Sequence, residues 1–248
     1  MKKYLVAFAL IFACACSALL PNTQSLSDLK ADYNQYVTLR NENADPQKIL
    51  SLRSAILKNA DKLEKNAPGG SLAEAQAHLV ECLVKLESEP LDADDVASLR
   101  KAVAEDSLKG SEPWFYGMAY AVVGVYFANS GEYFVSDSAF RKAIFKPDIP
   151  MDVRAYALSN YINSIFKQYE QDESSLTQKL SFLLEDLKSA GMATDMSNPE
   201  LLLVLAQINS NLGNDDVSCE YAKTLILLGA SSSVQEREAK DIVETDCK

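Results

Sequence analysis

Residues 117–147 read GMAYAVVGVYFANSGEYFVSDSAFRKAIFKP, and the small and aromatic residues in this stretch decide the fold. Apolar residues recur at helical spacing on both sides of Asn129, Ser130 and Gly131, a cluster that stops helices. Gly131 can take the left-handed conformation that ends a first helix, and a second helix starts at Glu132. Gly124 removes a side chain where that second helix must approach, while Phe127 and Phe140 supply bulk between the two. Pro147 and Pro150 push the residues before them out of helical geometry, so the second helix ends near Phe145. The stretch predicts an antiparallel helical hairpin.

Gly124, Phe127, Gly131, Tyr133, Ser136, Phe140, Ala143 and Pro147 occupy the small, aromatic, glycine, alanine and proline positions of a tetratricopeptide repeat, which the segment resembles. The resemblance implies neighbouring copies, because one such hairpin cannot bury its apolar face alone. It also implies an extended αα-hairpin solenoid whose usual work is to hold other proteins. A second start falls at Met151, 34 residues after Gly117, with Ala157, Tyr161 and Ile165 in register with Val123, Phe127 and Gly131. Leu158 replaces Gly124 and the turn glycine is missing, so this helix runs longer; its partner is Leu176 to Lys188, closed by Gly191. A third start is Pro199, with Leu205, Ala206, Leu212, Gly213 and Ser218 in place and Gly229 at its end. Ser233 to Thr245 reads as a capping helix with its charged residues facing water.

Upstream, Leu26, Leu29, Tyr33, Tyr36 and Val37 make one helical stripe, and Ile49, Leu52, Ile56 and Leu63 make another after Pro46. Asn66 to Gly70 connects them to a helix from Ser71 to Leu86, started by a Ser71–Glu74 capping box, and a shorter helix spans Asp92 to Glu105. The expectation is all-α: about five hairpins plus a cap, in a single helical-repeat domain over residues 24–248.

Lys2 and Lys3, the apolar run Tyr4 to Phe12 and the small residues that follow have the form of a secretory signal over residues 1–18, too short for a permanent span. Ala15 before Cys16 and Ala13 before Cys14 resemble the lipidation site of bacterial lipoproteins, which implies a lipid-anchored envelope protein. Cleavage after Ala15 or Ala18 would leave a soluble secreted one. The chain has 24 Lys and Arg against 35 Asp and Glu, a net charge of −11, which becomes −13 (−11 − 2) without Lys2 and Lys3. Such a surface repels nucleic acid and anionic lipid. Hydrophobic content of 48% excludes global disorder, and 9 Gly and 8 Pro, mostly between periodic runs, fit helices with short connections.

Nothing in the sequence assembles a catalytic set. His78 is the one histidine, in mid-helix, with Cys82 one turn later; two ligands do not close a zinc site, and no second Cys or His cluster follows. Phosphate-binding glycine loops, zinc-peptidase motifs and serine elbows are missing from the sequence. Asp92, Asp94 and Asp95, and Asp215 and Asp216, sit at helix starts, where carboxylates cap amides and oppose the helix dipole. No enzyme, metal or cofactor is expected.

Beyond the signal, the cysteines are Cys82, Cys219 and Cys247. Antiparallel helices around Gly229–Ser233 would bring Cys219 and Cys247 together, closing a loop of about 28 residues worth ~3.5 kcal/mol in the chain-entropy model; two separate thiols are the alternative. In solenoids of the resembling family the first helix of each hairpin lines the concave face. Counted from Gly117, Met151 and Pro199, Asn129, Asn163 and Asn211 share one late position there. Side chains that both donate and accept could clamp a peptide backbone, although asparagine also ends helices well. Trp114, Phe115, Tyr116, Tyr120 and Tyr126 are expected between repeats. The functional expectation is a non-catalytic scaffold of the bacterial envelope binding protein segments, with membrane contact through the lipid alone. The alternative is a ligand-binding accessory lipoprotein for solute uptake.

Overall fold

The computed structural model describes residues 21–41, 44–86, 90–104, 112–229 and 233–247. Cys14 and Cys16, the candidate lipidation sites, lie outside them. The described chain is all-α. Its helices are α1 (Pro21–Asn41), α2 (Pro46–Asn66), α3 (Leu72–Lys85), α4 (Ala93–Ala104), α5 (Pro113–Asn129), α6 (Tyr133–Phe145), α7 (Met151–Gln168), α8 (Glu173–Ser189), α9 (Pro199–Asn211), α10 (Asp215–Leu228) and α11 (Ser233–Asp246), with a 3-10 turn at Met192–Thr194. Two compact units divide it, residues 1–89 and 90–248.

In the first unit α3 packs on α1 and α2. Leu29 and Tyr36 from α1, Ile56, Ala60 and Leu63 from α2, and Ala77, Val80 and Val84 from α3 form its core. Asp45 accepts from the Gln47 amide ahead of Pro46, which needs no hydrogen bond at the first helical position. Ser71 accepts from the Glu74 amide at 3.2 Å. Glu74 reaches back one residue further than a capping box would, to the Gly70 amide, because Gly70 adopts φ +74° and turns its N–H toward the helix.

The second unit is built on the α5–α6 hairpin. A Cβ on Gly124 would stand 2.7 Å from the ring of Phe140, which is fully buried, so the glycine is what allows the two helices to close. Ser136, also buried, donates its hydroxyl across the interface to the Gly124 carbonyl at 2.9 Å. At the turn the Glu132 amide bonds Phe127 O at 2.8 Å and Gly131 takes φ +77°. The α9–α10 hairpin repeats this bond for bond. Ser218 donates to Ala206 O at 2.9 Å, the Asn214 amide bonds Asn209 O at 2.9 Å, and Gly213 takes φ +71°.

Between these copies lies an irregular one. α7 runs on to Gln168, as expected where no glycine stops it. α8 starts three residues before the expected Leu176, because Asp172 accepts from the Ser175 amide at 3.0 Å and caps it there. Ion pairs tie α8 to α6, Lys179 to Asp137 at 2.9 Å and Arg141 to Asp186 at 2.8 Å. Alternate helices pack side by side, α5 on α7, α7 on α9 and α9 on α11. Phe140, Ile144, Leu158, Tyr161, Ile162, Leu180, Leu205 and Leu225 belong to the shared core.

Candidate binding surface

Asn129, Asn163 and Asn211 lie on α5, α7 and α9, which pack in succession, and all three are exposed. Asn211 donates its amide to the Gln207 carbonyl one turn back at 2.8 Å, the local bond of a helix-ending asparagine. The geometry therefore holds three polar side chains on consecutive helices. It gives one of them a structural partner of its own.

The aromatic cluster divides. Phe115 is buried, but Trp114, Tyr116, Tyr120 and Tyr126 are only partly covered. Tyr116 and Tyr120, one turn apart with centroids 4.7 Å apart, line two clefts flanking α6. The first, about 500 Å³, opens between α4 and α6 over a floor of Tyr120, Val123, Val103 and Ala139; its charged lining is Arg100, Lys101 and Lys142. The second, about 680 Å³, is lined by Tyr116, Phe134, Phe145, Arg141, Lys142 and Lys146, with Asp137. Ser138 and Lys142 belong to both. The cations stand against rings: Lys146 Nζ lies 3.3 Å from the Tyr116 centroid, Lys142 Nζ 4.9 Å from Tyr120, and Arg141 Cζ 5.1 Å from Phe145. Reading helix by helix missed this surface. Its sequence signal was the spacing of Arg141, Lys142 and Lys146 on one helix against Tyr116 and Tyr120 on the preceding one.

His78 has neighbours that spacing alone did not supply. Its Nδ1 lies 3.4 Å from Glu64 Oε1 across the α2–α3 interface, and Cys82 Sγ is 3.7 Å from its Nε2. Glu64, His78 and Glu81 each place one ligand atom within 4.8 Å of the others. Burial pushes the Glu64 carboxyl above its ordinary range, while the His78 charge opposes the shift. Glu81 is held by Lys85 at 2.8 Å, so a cation here would have to displace that ammonium. Glu200, in the first turn of α9, is partly buried. Burial raises its carboxyl to about 7, against a lowering hydrogen bond from Ser159, and Asp152 raises it further.

Cys219 and Cys247 are joined by a disulfide with Cα atoms 5.3 Å apart, linking α10 to the end of α11. Cys82 is buried and takes no part in this disulfide. Among the described residues no helix is long and apolar enough to cross a membrane. Compared with protein-family models, curated proteins and solved structures, the chain gave no match in any of the three.

Proposed function

We propose that this protein is a non-catalytic scaffold of the bacterial cell envelope, a tetratricopeptide-repeat-like solenoid that holds segments of partner proteins along its first helices. One observation carries the reading. Two hairpins 82 residues apart (206 − 124, 218 − 136) are closed by the same Ser-to-carbonyl bond and the same glycine turn, and the helices that begin successive hairpins pack side by side. Repetition of this kind builds a surface that extends with each copy, which suits a chain-like ligand better than a single substrate. Asn129, Asn163 and Asn211 recur on that surface and are the proposed clamp on a partner backbone. Lipid on Cys16 or Cys14 would hold the scaffold at a membrane after export, in keeping with the basic start and apolar run of residues 1–12. The clefts beside α6 are open grooves, which supports the scaffold over an uptake protein closing around a solute.

Affinity capture from envelope extracts tests the clamp. Replacing Asn129, Asn163 and Asn211 with Ala leaves partner groups unpaired, so each should weaken binding by ~1–3 kcal/mol with helix content unchanged. Recovery of the same partners at the same strength by the triple variant would confine the asparagines to helix ends. Mass spectrometry of the mature N-terminus decides between a lipidated cysteine and an unmodified end.

A further inference from the structure

The body of this protein is acidic, yet the two clefts flanking α6 gather Arg100, Lys101, Arg141, Lys142 and Lys146. Among the described residues no carboxylate lines the α4–α6 cleft, and Arg100, Lys101 and Lys142 take part in no salt bridge. Asp137, the one acid among the described residues of the neighbouring cleft, is already engaged by Lys179 and by the Tyr161 hydroxyl. Three cations lining one cleft with no counter-charge among the described residues repel one another, and an anionic ligand between them relieves that repulsion. Beneath them the floor is apolar, with Val103, Val123 and Ala139 all buried. Beside them Phe134 is 89% exposed, the most exposed large apolar side chain among the described residues. Placing a phenylalanine in water next to a basic cleft stabilises nothing in the free protein.

We propose that the α6 clefts form a docking site for an acidic peptide segment of a protein partner, distinct from the asparagine row. The segment carries carboxylates for Arg100, Lys101 and Lys142, one apolar side chain for the floor of the first cleft and another to pack on Phe134 and Phe145. A peptide is favoured over other anions by shape and by charge. The apolar floor is recessed between two helices, where a side chain can enter and the plane of a bilayer cannot. Nucleic acid and anionic membranes extend well beyond the clefts and would meet the acidic remainder of the surface, whereas a short segment senses only charges within about a Debye length, ~8 Å. The cations already stacked on aromatic rings are held in place, so less side-chain freedom is lost on binding.

Peptides selected from a random display library against the purified protein should be rich in Asp and Glu around an aromatic or leucine residue. Fluorescence anisotropy with one selected peptide should show Arg100→Glu/Lys142→Glu weakening binding at least tenfold, on the order expected for reversing two interfacial charges. Phe134→Ser should weaken it severalfold, and salt should weaken it for the unaltered protein. All three substituted residues are exposed, so circular dichroism should be unchanged. Selected peptides without acidic bias, or equal affinity for the charge-reversed variant, would overturn the proposal. Binding to phosphatidylglycerol vesicles without peptide selection would overturn it in favour of a membrane. If the triple Asn→Ala variant loses the peptide while the charge-reversed one keeps it, the peptide belongs to the asparagine row; the scaffold then stands and the α6 site falls.

Discussion

Gly124 and Ser136 show how little separates this hairpin from a looser one. A methyl at 124 meets the Phe140 ring at 2.7 Å, and the ring is enclosed by core on every side, so it cannot swing away. Gly124→Ala should therefore cost ~1–3 kcal/mol despite its better helix propensity, and adding Phe140→Leu should recover part of the loss in a double-mutant cycle followed by urea unfolding. Ser136→Ala and Ser218→Ala each remove one buried hydroxyl bond and should cost ~0.5–1.5 kcal/mol in the same assay. Glu200 makes a prediction in pH. With its carboxyl raised by burial from 4.5 to about 7, the protonated form is favoured in the folded state. The stability this contributes is full below about pH 4.5 and is lost as pH rises through about 7, amounting to ~3 kcal/mol before the amino end of α9 offsets up to ~1. Glu200→Gln stays neutral and should flatten the decline, being more stable than the unaltered protein by ~2–3 kcal/mol at about pH 8 and little different at about pH 4.5. Parallel pH-stability curves for the two proteins would show that the carboxyl titrates normally.

At the level of elements, the disulfide acts on one joint. Cys219 in α10 and Cys247 after α11 close 28 residues of chain, and α11 carries a largely charged surface that contributes little core of its own. Cys219→Ser/Cys247→Ser should lower stability by ~3.5 kcal/mol in the chain-entropy model, about 10 °C in Tm for a protein of this size, and reductant should give the unaltered protein the same loss in a thermal melt. An unchanged Tm would mean that α11 is held by packing alone. The elements were legible in proportion to their punctuation. Gly124, Gly131 and Pro147 mark α5 and α6 in the sequence, because each has one physical use at its position. The early start of α8 was not legible, since Asp172 became a cap only through the turn that followed Tyr169. The α6 clefts were least legible. Arg100 and Lys142 stand 42 residues apart (142 − 100), and only the packing of α4 and α6 about α5 makes them face one cavity. The contact of His78 with Glu64 was hidden for the same reason, because 14 residues (78 − 64) and a turn separate partners on different helices.

For the whole molecule the governing quantity is charge, −11 for the chain and −13 without the two N-terminal lysines. Self-repulsion at that density opposes the compact state at low ionic strength. Against it stand a few solvent-exposed ion pairs, Lys65–Asp61, Lys240–Glu236 and Arg141–Asp186, each contributing little in water. Salt screens both, but the repulsion is summed over all the excess carboxylates while the pairs are few, so the net effect of salt should be stabilising. Tm is expected to rise by several degrees between about 10 mM and 300 mM NaCl, with each kcal/mol corresponding to ~2–4 °C. The same salt should weaken the binding of acidic peptides at α6, because there the local field is positive and attractive. Opposite responses of stability and binding to one variable follow only if the molecule is an acidic body carrying a basic, aromatic seat. A Tm that falls with salt would mean that the exposed pairs outweigh the repulsion, and peptide binding indifferent to salt would leave the α6 cations without an electrostatic role.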